Sequence, residues 1–261
     1  MEGIEAQVPP VRHRGAYAIV EHDGAEDAVA VEEPLEIRVD GGPLTVTMRT
    51  PGHDAELALG FLYGEALIDE ARAAEVPADF AANTIDVAGP LTREPAARRF
   101  YTSSSCGVCG KGAIEEVAVM CDPVEDDLRV PRALLAGLPE RMDQPVFART
   151  GGLHATGLFD AAGTPLLVRE DVGRHNAMDK VVGAMLVARA LPLRDRILCV
   201  SGRLSFELVQ KAARAGAPIL VGVGAPSSLA VSLAADRGLT LCGFARGDDV
   251  NVYTRPDRVS A

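Results

Sequence analysis

Cys106 and Cys109 are separated by Gly107 and Val108 in the run YTSSSCGVCGKG, from Tyr101 to Gly112. Glycines on both sides let the backbone bend and leave the sulfurs uncovered. An amphipathic pattern follows, with Ile114, Val117 and Met120 on one face and Glu115 and Glu116 on another, so a helix is expected just after the thiols. A thiol at a helix start faces unpaired backbone N–H groups, and Lys111 adds a positive charge. Both favour the thiolate, which is the reactive form. The stretch therefore reads as a loop offering a nucleophilic or sulfur-carrying cysteine. A redox dithiol and half of a zinc site use the same spacing. A structural zinc site needs four ligands, and no second C-x-x-C is present. Cys121, Cys199 and Cys242 are scattered through apolar stretches and read as small core residues. Thioredoxin-like chemistry is less well served, because the approach to Cys106 is polar and serine-rich rather than a buried strand. On local chemistry alone the three readings stay open.

A second cluster is EDVGRHNAMDK, from Glu170 to Lys180, with seven polar or charged residues at a strand-to-helix passage. His175 and Asp179 are four apart and share a helix face, as do Asn176 and Lys180. A solvated helix face is the plain reading. The density of Arg174, His175, Asn176, Asp179 and Lys180 beside Gly173 favours a site. Arg93, Arg98 and Arg99 form a small basic patch before the cysteines, either a solvated turn or a docking surface for an acidic partner.

The elements that must position these groups follow from periodicity. The N-terminal tail, residues 1–13, is expected to be flexible. Alternation marks strands at Tyr17–Val20, Ala28–Val31, Leu35–Val39 and Leu44–Met48, the last two forming a hairpin across Asp40 to Pro43. A helix is expected from Ala55 to Gly64, with Asp54 as its N-cap and His53 as a loop residue. Asn83–Val87 reads as a strand, Pro131–Leu138 as a short helix, and Gly151–Phe159 with Leu166–Arg169 as a hairpin. The helix opened by the polar cluster runs to Val187. Beyond it, strands at Ile197–Val200, Pro218–Val223 and Leu239–Phe244 alternate with helices capped by Ser205 and Ser227. That alternation indicates βαβ crossovers and a parallel sheet segment. Ligands in such sheets bind outside the strand C-terminal ends, where Ser201-Gly202-Arg203, Gly224 to Ser227 and Ala245 to Asp248 fall. Helix N-termini there offer N–H groups to anions, and Arg203 and Arg246 can clamp phosphates. Neither a Walker A nor a G-x-G-x-x-G motif is present.

Composition sets outer limits. The 261 residues, 48% of them hydrophobic, suffice for one large domain or a main domain with an appendage. Lys and Arg number 26 and Asp and Glu 37, for a net charge of −11, which disfavours nucleic-acid binding by overall charge. An odd cysteine count without a signal peptide points to a reducing cytoplasm. No apolar run approaches the roughly 20 residues of a membrane span.

Three stretches, SSCGVCGK, EDVGRHNAMDK and SGRLSFELVQKAARAG, the last followed by APSSLA and FARGDDVNVYT, together resemble the FdhD/NarQ family of formate dehydrogenase accessory sulfurtransferases. The resemblance runs from about Arg14 to Arg255. It implies a sulfurtransferase that takes persulfide sulfur from a cysteine desulfurase. The sulfur then passes to the bis-molybdopterin guanine dinucleotide form of the molybdenum cofactor, for formate dehydrogenase. The family's persulfide cysteine maps onto Cys106, with Cys109 as an accessory thiol. Its nucleotide-cofactor segment maps onto Phe244, Ala245, Arg246, Gly247, Asp248 and Asp249, and the site chemistry adds Arg203 and Arg174, with Lys180 and Asn176 as further candidates. The family's residues vary after the Arg-Gly pair, so Asp249 is the weaker transfer. The resemblance also implies an α/β fold (α+β overall) and a homodimer. Residues 101–261 would form a cytidine-deaminase-like main domain with a βαβαβ C-terminal half, and residues 14–100 a smaller β-rich region with one helix. The deaminase H-x-E and P-C-x-x-C zinc ligands are absent, so that metal chemistry does not transfer. The alternative to sulfur transfer is a molybdenum-cofactor-binding chaperone with a zinc or redox cysteine pair.

Overall fold

The computed structural model describes residues 12–13, 15–77, 83–94 and 121–261. Cys106, Cys109, Lys111 and the helix expected after them lie outside the described residues, as do Arg98 and Arg99. Arg93 is described, and its guanidinium donates to the Glu65 carbonyl.

The fold is mixed α/β. Its frame is a six-stranded sheet built from β9 (His154–Asp160), β10 (Pro165–Asp171), β11 (Arg196–Val200), β12 (Ile219–Gly222), β13 (Thr240–Arg246) and β14 (Asp249–Val252), in the order β10-β9-β11-β12-β13-β14. β11, β12 and β13 run parallel, with Ile197 opposite Ile219 and Ile219 opposite Thr240. Both faces of these strands are covered, which is why ILCV and ILVG read as unbroken apolar runs rather than as alternation. One face carries α4 (Arg174–Val187), α5 (Phe206–Arg214) and α6 (Ser228–Asp236), whose Met178, Val181, Leu208, Val209 and Leu233 pack on Leu158, Leu198, Leu220 and Leu241. The other carries the short α2 (Arg132–Ala136), with Leu135 and Leu138 against Phe159, Ile197, Cys199 and Val221.

Ser205 and Ser227 cap α5 and α6 as expected, their hydroxyls accepting from Leu208 N at 3.4 Å and Ala230 N at 3.2 Å. The Ser227 bond is the shorter and sits at an exposed loop. Ser227→Ala is expected to cost about 1 kcal/mol in urea unfolding, and Ser227→Gly only a few tenths. Equal losses would show that the hydroxyl contributes nothing.

Antiparallel β9 and β10 form the expected hairpin, turned by Asp160, whose Oδ1 accepts from Ala162 N and Thr164 N at 2.9 and 2.8 Å. Because β9 is also antiparallel to β11, its first residue, His154, lies at the sheet edge where β11 ends.

The N-terminal part holds two further sheets. β1 (Arg12–His13), β2 (Tyr17–His22) and β3 (Ala25–Ala30) form one, against which the one-turn α3 (Phe147–Thr150) packs, while the two-residue β8 (Val130–Pro131) pairs with β15 (Val259–Ser260) elsewhere. Of the residues expected in the flexible tail, Arg12 and His13 are in a strand, Arg12 paired with Ile19 and His13 with Ala18. β4 (Glu33–Val39), β5 (Gly42–Arg49), β6 (Ala74–Glu75) and β7 (Thr84–Val87) form the other, in the order β5-β4-β7-β6. The β4–β5 hairpin turns at Asp40 and Gly41. α1 (Asp54–Gly64) covers this sheet through Leu57, Leu59 and Leu62. The expected Asp54 cap is corrected here. His53, at φ 61°, occupies the N-cap position and makes no side-chain cap. The Asp54 carboxylate is taken by the buried Arg49 guanidinium, in two bonds of 3.0 Å. A fork-to-fork ion pair of this kind outcompetes a single bond to a backbone N–H.

α1 crosses α4 with backbone against backbone. A Cβ at Gly60 would stand 1.9 Å from the Asp179 carbonyl oxygen, and one at Gly183 1.8 Å from that of Glu56. Among the described residues no helix is long and apolar enough to cross a membrane.

Candidate functional site

The loops leaving β11, β12 and β13 are stitched together by backbone bonds. Gly224 N donates to Gly202 O at 3.0 Å, Phe244 N donates to Gly224 O at 3.3 Å, and Leu204 N donates to Ala225 O at 3.0 Å. Close approach explains the glycines. A Cβ at Gly224 would meet Arg203 Cα at 2.9 Å, and one at Gly243 the Gly224 oxygen at 3.1 Å. The sequence-predicted groups are therefore brought to one edge. Arg203 is exposed, with its stem on Gly224. Arg246, Gly247, Asp248 and Asp249 form the exposed β13–β14 turn, where Gly247 at φ 57° fits the turn's demand. Phe244 is held at φ 56° with its ring 49% exposed. A bulky residue in the left-handed region is strained, and such strain gathers at functional positions. Tyr253 and Val223 are further exposed apolar groups of this neighbourhood, and the Tyr253 ring lies 3.2 Å from where a Gly243 Cβ would be. Ala245 differs from its neighbours. Its methyl is buried in the core with Val250, which leaves only its backbone to a ligand.

The polar cluster at the start of α4 divides into two groups. Asp171, Asn176, Asp179 and Lys180 are buried and committed. Lys180 Nζ lies 2.7 Å from Asp171 Oδ2 and donates to Thr50 O at 3.0 Å. Asp171 also accepts from Gly173 N, Asn176 Nδ2 and Thr50 N at 2.8, 3.0 and 3.2 Å. Asn176 Nδ2 reaches Met48 O at 2.8 Å, and Asp179 receives Lys211 Nζ at 2.7 and 3.0 Å. Burial raises the Asp179 carboxyl to about 6, against the pull of Lys211. Lys180 and Asn176, expected as ligand candidates, are instead the ties between α4 and the β5–α1 junction. No ligand can use them without breaking those bonds. The solvated-face reading fails too, since these side chains point inward.

Arg174 and His175 remain at the surface. His175 Nε2 is 2.9 Å from Glu207 Oε2 and 3.1 Å from Ser205 Oγ. Both contacts use the same ring nitrogen, so this is not a nucleophilic triad. Arg174 has a buried Nε with no partner among the described residues. Next to it, His154 borders a cleft of about 420 Å³ shared with Gln144, Phe147 and Ser201. Burial, Arg174, His175 and Arg203 all push His154 below the usual imidazole range. Sequence reasoning passed over His154 as part of a glycine-punctuated strand. The available signal was topological: the start of a hairpin strand that pairs antiparallel with β11 must share the edge where β11 ends. A larger cleft of about 530 Å³ lies by His53, Arg169 and Lys180. Its cations are already paired, Arg169 with Glu56 at 2.7 Å and Lys180 with Asp171.

The described thiols are poor nucleophiles. Cys121, Cys199 and Cys242 are all buried in the core clusters, as expected. Burial raises each of them, Cys242 to about 12, so none supplies thiolate near neutral pH.

The sheet and its strand-end loops place the chain in the α/β class, in which ligands generally bind outside the strand C-terminal ends. Within that class the comparisons are specific. The FdhD/NarQ family model matches residues 30–260, and the chain belongs to that family. The sulfur carrier protein FdhD of Mycobacterium tuberculosis is 48% identical over 270 residues, covering 96% of this chain and 97% of that protein. The protein of the same name from Streptomyces coelicolor is 50% identical, covering 90% and 89%. That from Sulfolobus acidocaldarius is 44% identical, covering 90% and 92%. A crystal structure from Desulfotalea psychrophila, described as that of a formate dehydrogenase accessory protein, superposes with a TM-score of 0.72. It is 28% identical and covers 97% of this chain and 99% of that one.

Proposed function

We propose that this chain is a cytoplasmic sulfurtransferase for the molybdenum cofactor. Cys106 accepts sulfur from the persulfide of a cysteine desulfurase. The sulfur is then delivered to bis-molybdopterin guanine dinucleotide, as the terminal sulfido ligand that formate dehydrogenase needs. The observation that carries this reading is the contrast among the cysteines. Relatives alike over nearly the whole chain are named sulfur carriers, yet the three described thiols are buried and unreactive. That leaves Cys106 and Cys109, whose flanking glycines and Lys111 suit a thiolate.

In the acceptor step the Cys106 thiolate attacks the outer sulfur of the desulfurase persulfide. The new S–S bond forms on Cys106 and the desulfurase cysteine leaves as its thiolate, so charge and sulfur balance. Cys109 assists by relaying or resolving the persulfide. The cargo's phosphates are met by Arg174, Arg203 and Arg246, and its planar base by the segment from Phe244 to Asp249, within a homodimer. Cation–phosphate contact at a strand edge weakens as salt rises.

Intact-mass spectrometry after incubation with a cysteine desulfurase and cysteine tests the acceptor step. The expected gain is one sulfur, about 32 Da, removable by reductant and abolished in Cys106→Ala. Cys109→Ala is expected to keep the gain and restore formate dehydrogenase less well. Absence of sulfur on Cys106 beside an active desulfurase overturns the proposal.

A further inference from the structure

The sheet edge contains a group of cationic and donor side chains that the cysteine chemistry does not use. Arg174 and His154 flank Gly202, where an added Cβ would lie 3.4 Å from His154 Nδ1 and 3.8 Å from Arg174 Cδ. Arg203 follows directly in the chain. Cations held together repel one another, and the local carboxylates are already engaged. Asp171 is bound to Lys180, and Glu207 to His175. Among the described residues the buried Arg174 Nε has no partner. Ser201 Oγ accepts from Ala155 N at 2.9 Å, which leaves its own proton to donate. Buried polar atoms in folded proteins are nearly always satisfied, so an orphan Arg174 Nε next to His154 points to a ligand.

α4 adds to the same point. Its N-cap is Gly173, with no side-chain cap, so the first N–H groups of a 14-residue helix are uncapped by any side chain. α5, by contrast, is capped by Ser205.

We propose that the uncapped start of α4, with His154, Arg174, Ser201 and Arg203, is an oxyanion seat that takes the diphosphate of a nucleotide. This rests on the reading of a nucleotide-bearing cargo and extends it. It separates a seat for the diphosphate, at α4, from the surface for the base, at Phe244. It also makes His154 a ligand contact. An imidazole facing an anion gains a proton on binding, so affinity rises as pH falls through the bound-state value of His154 and levels off below its free-state value. The charged groups acting on it are Asp171 at the end of β10, Arg174 and His175 from the first turn of α4, and Arg203 from the β11–α5 loop.

The test is calorimetric and NMR titration of the full chain with inorganic diphosphate and, for pH dependence, with sulfate, whose charge is constant from pH 5.5 to 8. Arg174→Gln is expected to weaken diphosphate at least tenfold. Arg203→Gln, on an exposed loop that does not endanger folding, is expected to weaken it severalfold. Sulfate should bind more tightly at pH 5.5 than at pH 8, and His154→Gln should flatten that slope. Diphosphate binding that is absent, or unchanged in both arginine variants, overturns the seat. Guanosine diphosphate separates the two readings. If it binds and ignores these three variants, the cargo reading stands and the seat falls. If it binds no better than inorganic diphosphate and ignores Phe244→Ala, the seat stands and the guanine reading falls.

Discussion

Gly183→Ala is expected to cost at least about 3 kcal/mol, the upper end of overpacking effects. The added methyl would stand 1.8 Å from the Glu56 carbonyl oxygen and 2.7 Å from its carbon. These are backbone atoms of a packed helix, so no rotamer change can relieve the contact. The helices must separate, and the apolar seam between α1 and α4 opens with them. Against a typical total stability of about 5–15 kcal/mol, this removes about a fifth to three fifths of it. Gly60→Ala meets the Asp179 oxygen at 1.9 Å and should cost a similar amount. Once one methyl has pushed the helices apart the second finds room, so the double variant should lose much less than the sum. Gly137→Ala is the control. Its Cβ has ordinary contact at 3.6 Å, and its backbone is right-handed helical at φ −84°, so stability should hold or rise slightly. Equal behaviour of Gly183→Ala and Gly137→Ala in urea unfolding would refute the steric account.

The second large effect belongs to the Asp171–Lys180 pair. Asp171→Ala leaves a buried ammonium without its carboxylate and the Thr50 N–H without its acceptor. Stranding one partner of a buried pair costs about 3–5 kcal/mol. Lys180→Met strands the carboxylate and should cost a comparable amount. The double variant Asp171→Ala/Lys180→Met removes both charges and should recover part of the loss. Asp171→Asn keeps an acceptor for Gly173 N and should fall between. If the double variant loses the full sum, the two side chains act independently and the 2.7 Å contact is energetically empty. The turn held by Asp171 also carries Arg174, so Asp171→Asn should weaken anion binding at the sheet edge while the chain remains folded.

Much of the second half was legible in sequence for a specific reason. ILCV, PILVGV and LTLCGF are apolar runs bounded by glycine, proline and serine, and Ser205 and Ser227 cap helices where a serine precedes helical periodicity. The three scattered cysteines likewise read as core because apolar neighbours surround them. The polar cluster was harder. Arg174 and Lys180 look alike in sequence, yet one is a surface cation and the other is buried, because Lys180 is matched by Thr50, 130 positions earlier. No local pattern encodes a partner at that distance. Asp54 shows the same limit at short range, since its cap geometry is right and Arg49 takes its carboxylate. His154 was missed because its role depends on strand pairing rather than on its neighbours.

The contact between Gly60 and Gly183 also constrains how this protein can be inherited. Each glycine is held in place by the backbone of the other's helix, not by its own function. A lineage cannot enlarge either position by a single step without passing through a markedly destabilised ancestor. Change at one must be preceded by a shift of the α1–α4 crossing, and that shift would have to preserve the Thr50 bonds to Asp171 and Lys180. The crossing therefore acts as a ratchet on divergence. The two positions should drift together or stay fixed, even where the surrounding surface changes freely.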